Sequence, residues 1–308
     1  MRIYNFYLFL AFTFAFLSCD KEDEPIPAYI KINPISLTTN NDQGSDSENI
    51  EYAFLYVDDE FIGGFFIPTT VPVLKSGDVS IIIDPGVKAN GVSFNPDIYP
   101  FYKRYEATIR LNPGETYEIN AGTTYRDNVK FPILEEFESA NHIFSDDIDG
   151  NTATFIDVTN NMAFEGSSGI IRLDSDNSNI IFGSDFNRND LSELPKNGTP
   201  VWLEINYKTD TEILFGVIGY DAFGNPQSYP DFGVNPSAEW KKIYFDLSQF
   251  VFDERFVAFQ IIGAAANREG RAESNIYLDN IKLLYFELAI TFRRNLSPTY
   301  FEERLTCC

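Results

Sequence analysis

The chain carries one histidine, His142, and three cysteines, Cys19, Cys307 and Cys308. Thiol chemistry is therefore confined to the two ends, and His142 has no cysteine partner between residues 20 and 306. A serine nucleophile would need His142 as its base. No G-x-S-x-G elbow supplies that serine. Metal-assisted hydrolysis needs clusters of His or Cys, and the sequence has none. Glycoside hydrolysis needs only two carboxylates. With 46 acidic residues, composition neither supports that chemistry nor removes it, and no E-x-D-x-x-E strand is present. His142, in Ser139-Ala-Asn-His-Ile-Phe144, is expected to be structural or at the surface. The expectation is a protein that is not an enzyme.

Binding is the better-supported chemistry. Sugar recognition asks for exposed aromatic rings beside amide and carboxylate groups. In the alternating run 201–208, Trp202 shares one strand face with Glu204 and Asn206, while Leu203, Ile205 and Tyr207 point the other way. Trp202, Glu204 and Asn206 are the candidate ligand-binding residues. Burial of Trp202 under a loop or another domain is the alternative, and both stay open. The run Tyr220 to Phe232 reads as a loop with four aromatics that either forms a rim or packs on itself. Asp279 lies in the apolar strand Ile276-Tyr-Leu-Asp-Asn-Ile281, on one face with Tyr277 and Ile281. A carboxylate there demands a hydrogen-bonding partner or a metal. The stretches 146–151 and 174–177 are rich in Asp and Asn, like calcium loops. The first has Ile156 where an EF-hand needs a bidentate Glu, so both read as solvated turns.

These residues must be positioned by strands. Phe (29) and Tyr (17) are abundant, and both favour β structure. Runs near 28–33, 52–57, 61–66, 79–83, 105–111 and 117–125 alternate or are apolar. Turn signals such as Asp58-Asp59, Asp84-Pro85-Gly86 and Asn112-Pro113-Gly114 punctuate them. The pattern resets near 128–132, and further strands follow at 169–173, 179–182, 201–207, 213–220, 240–248, 256–262 and 274–284. No helical period occurs in the first set. The expectation is an all-β chain of two β-sandwich domains, 28–126 and 127–286. The formal net charge of −23 and the lack of a basic stripe exclude nucleic acid as a partner. No disulfide framework is expected, because residues 20–306 hold no cysteine.

Three resemblances extend this reading. Val57-Asp-Asp-Glu-Phe-Ile-Gly63, with Pro68 to Val73, Ser76-Gly-Asp78 and Leu111-Asn-Pro-Gly-Glu-Thr116, resembles the hairpins of small Ig-like, PEGA-type sandwiches on bacterial surface lipoproteins. That implies a structural or spacer role for 28–126. Trp240-Lys-Lys-Ile-Tyr-Phe-Asp-Leu-Ser248 and Ile276-Tyr-Leu-Asp-Asn-Ile-Lys-Leu283 resemble the galactose-binding-like jelly rolls of carbohydrate-binding modules, over about 130–286. This resemblance implies a core position for Trp240. It also implies a structural Ca²⁺ between the first and last strands, held by Glu136, Glu138 and Asp279.

The third resemblance is at the beginning. An apolar run from Phe6 to Leu17, preceded by Arg2, ends at Ser18-Cys19. It is too short to span a bilayer and resembles a bacterial lipobox, which implies cleavage after residue 18 and lipidation, including palmitate, on Cys19. Asp20-Lys-Glu-Asp-Glu24 resembles the acidic surface-export signal of Bacteroidetes lipoproteins, with 19–27 as a tether. The combined expectation is a non-catalytic, lipid-anchored outer-membrane protein facing the cell exterior and binding a polysaccharide or a surface protein. A structural component of an outer-membrane complex is the alternative, and a glycan-active enzyme the third reading. Residues 287–308, with Arg293, Arg294, Arg304 and the terminal cysteine pair, form an atypical tail with no assigned role.

Overall fold

The computed structural model describes residues 24–92, 96–187, 191–192 and 194–287. Cys19, the tether up to Asp23 and the tail from 288 onward lie outside the described residues. The chain is all-β, and it divides into two compact units that are interleaved along the sequence. Of the described residues, one contains 24–36, 50–86 and 104–123; the other contains 37–49, 87–103 and 124–287. The expected boundary at 126/127 is therefore replaced by several crossings. Segments 37–49 and 87–103 belong with the C-terminal sandwich because their hydrogen-bonding partners are there, as shown below.

The first unit is a small sandwich. Its strands are β1 (Ala28–Ile32), β2 (Tyr52–Val57), β3 (Glu60–Phe66), β4 (Thr69–Val73), β5 (Gly77–Lys88), β6 (Tyr105–Leu111) and β7 (Thr116–Ile119). One sheet runs β4-β1-β7, with β1 and β7 parallel. The other runs β3-β2-β5-β6. Alternation decides which side is buried: Ile30 and Ile32 of β1 and Ala53, Leu55 and Val57 of β2 are in the core, while Tyr52, Phe54 and Tyr56 point outward. Asp58 and Asp59 both sit at left-handed φ, 50° and 63°. That is the backbone of a two-residue type I′ hairpin turn, which Asp tolerates. The expected stop at Asp84-Pro85-Gly86 is absent, and β5 runs on to Lys88. Pairing of β5 with β6 ends at Ile83↔Tyr105, so Pro85 removes no bond from that ladder.

The second unit is a jelly-roll sandwich. Its strands are β8 (Val129–Glu135), β9 (Asp146–Asp147), β10 (Asp157–Thr159), β11 (Ser168–Asp174), β12 (Asn179–Gly183), β13 (Val201–Thr209), β14 (Ile213–Asp221), β15 (Pro226–Val234), β16 (Ser237–Asp246), β17 (Phe256–Ala266) and β18 (Glu273–Phe286). A six-stranded sheet runs β10-β11-β18-β13-β16, with β8 also paired to β18. A five-stranded sheet runs β9-β12-β17-β14-β15. Between them lies one apolar core that includes Leu203, Ile205, Phe215, Phe245, Phe259 and Leu283. Burying each such side chain contributes about 1.5–3 kcal/mol. The long strand β18 is broken in phase at Asn280, whose φ is +47°. Ile276 and Leu278 face the core before it, Ile281 and Leu283 after it. Ile281 is therefore on the opposite side from Asp279, contrary to simple alternation.

Candidate functional site

Two sheet faces of the jelly roll carry polar and aromatic side chains; one is covered and the other is open in part. Trp202, Glu204 and Asn206 do share the outer face of β13, but that face is covered. Trp202 is 4 % exposed and meets the Tyr99 ring edge-on at 5.2 Å. Glu204 lies 2.7 Å from the Lys242 ammonium, with both side chains essentially without access to water. Tyr99 donates to Glu204 Oε1 at 2.6 Å and Tyr125 to Oε2 at 2.9 Å. Asn206 pairs with Ser47. Lys242 donates to the Ser47 carbonyl at 2.7 Å, and Lys282 to that of Ser45. The expected sugar platform is thus occupied by the chain's own segments. Burial pushes the Glu204 carboxyl up, but Lys242 and Lys282 outweigh it and hold the group below the usual carboxylate range. Burial and the Lys242 charge bring Lys282 down to about 8. Trp240, expected in the core, is instead half-buried: its indole donates to the Met162 carbonyl at 3.1 Å and its ring packs on Phe164.

The three carboxylates expected to hold calcium are not gathered. Glu136 accepts from the Ser45 amide at 3.0 Å and Glu138 from the Ser167 amide at 2.9 Å. Asp279 accepts from the Ser168 hydroxyl at 2.6 Å and the Asn280 amide at 2.8 Å. Burial still raises its carboxyl to about 7. Among the described residues no group of three or more His, Cys, Asp or Glu side chains is placed to hold a metal. In the loop after β9, Asp147 accepts from the Gly150 amide and Asp149 from the Asn151 and Ile181 amides. His142 contacts the Ile156 carbonyl through Nε2 at 3.0 Å and packs on Phe137, and among the described residues its buried Nδ1 has no hydrogen-bond partner.

The outer face of the five-stranded sheet is open in part: Gln260, Ile218 and Ile262 are buried on it, while Phe186 and Leu214 are exposed and Tyr220 is half-buried, and it brings together residues that sequence reasoning did not connect. The predicted aromatic loop is a hairpin of β14 and β15. Tyr229 and Phe232 turn inward to ring contacts with Phe250. Tyr220 and Phe223 do not, and Phe223 at the hairpin tip is 91 % exposed. The Tyr220 ring lies 4.5 Å from that of Phe186. Its hydroxyl donates to Gln260 Oε1 at 2.8 Å, and Gln260 Nε2 donates to Asp146 Oδ2 at 2.7 Å. The Phe186 amide closes the chain on the same carboxylate oxygen at 2.9 Å. Burial, then the Asp146 charge, raise the Tyr220 phenol, so it stays protonated as a donor. Farther along the same sheet, a groove of about 840 Å³ is floored by Ile181, Leu214 and Ala264, which pair in register. Gln260, with polar partners on both sides of an apolar strand, was the one sequence signal of this network.

This face can offer a ligand rings to stack on, the half-buried Asp146 carboxylate and an adjoining apolar groove; the buried Gln260 amide is spent on Tyr220, Asp146 and the Ser184 carbonyl and braces that arrangement from below. No family model matches the chain, and no curated protein matches it. Among solved structures, the chain is similar to the CBM22-1 xylan-binding domain from Paenibacillus barcinonensis Xyn10C. The identity is 16 % and the TM-score 0.39, covering 53 % of this chain and 99 % of that one. It is also similar to the C-terminal family 22 carbohydrate-binding module of Clostridium thermocellum Xyn10B, at 13 % identity and TM-score 0.36, covering 54 % and 99 %. A third likeness is to a structure of carbohydrate-binding modules from the β-sandwich superfamily, at 15 % identity and TM-score 0.33, covering 75 % and 84 %.

Proposed function

We propose that this chain is a non-catalytic glycan-binding module, carried on the outer face of an outer membrane by lipid on Cys19. Its ligand lies on the open face of the five-stranded sheet. The observation that carries the reading is the Tyr220–Phe186 ring pair beside the Gln260–Asp146 network. Stacking supplies affinity, and the buried Gln260 amide fixes the Tyr220 hydroxyl and the Asp146 carboxylate that border the rings. The network is held before ligand arrives, so little ordering cost remains at binding.

Retention on a panel of insoluble neutral polysaccharides tests this. The expected result is retention on at least one polymer, weakened about tenfold (~1.4 kcal/mol) by Tyr220→Ala in protein that keeps its far-ultraviolet spectrum. Folded protein that passes every polymer overturns it, as does release of reducing sugar from the retained polymer. For the anchor, Cys19→Ser should move the protein from the membrane fraction to the soluble one. Membrane fractionation that survives the substitution removes Cys19 from the reading.

A further inference from the structure

The small sandwich carries its own aromatic surface. On the outer side of the β3-β2-β5-β6 sheet, β2 presents Tyr52, Phe54 and Tyr56 in one row, about 7 Å apart from the strand repeat. The edge strand β3 adds Phe61 against Tyr56, with ring centres 5.1 Å apart, and Phe66 against Tyr52 at 5.6 Å. Phe61 is 55 % and Phe66 58 % exposed. Solvated sheet faces usually carry polar residues; this half carries rings.

Phe54 shows that the surface is shaped. A Cβ on Gly64 would lie 3.0 Å from Phe54 Cε1 and 3.2 Å from Cδ1, and a Cβ on Gly86 would lie 2.6 Å from Cε2 and 3.1 Å from Cδ2. The two glycines, on the strands flanking β2, thus lie under opposite edges of one ring. The ring fits between them because neither strand puts a side chain there, and it is half-buried. Directly across from Phe54 in register is Asp84, gripped by Arg104 through two parallel bonds of 3.0 and 2.9 Å. Arg104 keeps further N–H donors, because those bonds use only two of its five, and it is about half exposed.

We propose that this face is a second glycan-stacking platform, separate from the one in the jelly roll. Accessible rings on β2 and β3 beside a guanidinium held in place by a buried carboxylate fit a pyranose, which offers apolar C–H groups on one side and hydroxyls at its rim. Asp58, Asp59 and Glu60 in the adjoining turn, and Glu106 on β6, oppose the anionic headgroups that an interfacial aromatic belt would meet. The exposed edge rings and the accessible Arg104 guanidinium, whose partner Asp84 is buried, also differ from the desolvated pockets at the centre of protein interfaces.

The experiment measures binding of a soluble oligosaccharide of the retained polymer by calorimetry, on the full mature chain and on Phe54→Ala, Phe61→Ala, Tyr220→Ala and the Phe54→Ala/Tyr220→Ala pair. The expected result is two sites per chain, one lost with Phe54→Ala, the other with Tyr220→Ala, and none left in the pair. Phe61, exposed at the edge, tests the same site where Phe54→Ala fails to fold, and its loss should weaken that site about fivefold through one fewer ring. One site per chain that is lost with Tyr220→Ala and unaffected by Phe54→Ala and Phe61→Ala overturns the second platform and leaves the jelly-roll site standing. Flotation with phosphatidylcholine–phosphatidylglycerol vesicles, or self-association that depends on Phe61, overturns it in favour of a lipid or protein occupant.

Discussion

Glu204 has no route to water, and its charge is answered only by Lys242, Lys282 and two phenols. Removing one member of a buried ion pair typically costs 3–5 kcal/mol, because the other is left desolvated and unpaired. Glu204→Gln keeps the shape and removes the charge, so urea unfolding should lose about that much with little change in slope. The deficit has a pH signature. Lys282 titrates at about 8 in the folded chain and near 10.4 unfolded. Between those values the unfolded chain binds more protons, so stability gains with pH. Glu204→Gln should depress Lys282 further and recover part of its deficit from pH 7 to pH 9; a constant deficit would argue that the charges do not interact. Asp279 runs the other way. Its folded value of about 7 exceeds the unfolded 3.8, so the stability it contributes is present below about pH 4 and lost as pH rises through 7. Asp279→Asn should therefore melt above the parent at pH 8, by about 2–4 °C per kcal/mol relieved, and lose the advantage near pH 4. EDTA should leave the parent's midpoint unchanged; a fall confined to chains with Asp279 would put a metal there.

The elements explain why some of this was readable and some was not. Period-two alternation in β1, β2, β6 and β13 comes from local geometry, so the strand runs and their buried sides followed from residue order. Phase shifts do not. Asn280 adopts left-handed φ inside an apolar strand, and nothing about an Asn there announces it. Trp202 is met by Tyr99, and the rest of its sheet face is covered by Ser45, Ser47 and Asn49, distant in sequence and, at 44–49, composed like a solvated loop. One signal was available: Glu204, Lys242 and Lys282 each interrupt apolar strands, and buried charges need partners from somewhere. A fragment of residues 127–286 carries the strands of the jelly roll without that cover. It should show a lower urea midpoint and, in a Trp240→Phe background, red-shifted emission from Trp202. Equal stability would mean that the added segments are dispensable.

At the scale of the whole molecule, charge decides which glycans qualify. The chain carries 46 acidic against 23 basic residues, and both aromatic faces are bordered by carboxylates: Asp146 and Asp221 on one, Asp58, Asp59 and Glu106 on the other. Such a surface repels a polyuronate or sulfated chain before any ring can stack, over a range set by the Debye length of about 8 Å at physiological salt. Stacking itself involves no net charge and should be nearly indifferent to salt. Neutral polymers should therefore be held equally at 0.05 M and 0.5 M NaCl. A polygalacturonate should be excluded at the lower salt and at most weakly held at the higher. The outcome that contradicts this is tight uronate binding that weakens as salt rises, because that pattern needs a basic site. Arg110 on the outer side of β6 faces Asp78 at 4.0 Å, and the charge of Arg104 is committed to Asp84. A polyanion would have to displace that carboxylate, whereas a neutral hydroxyl needs only the guanidinium's remaining donors.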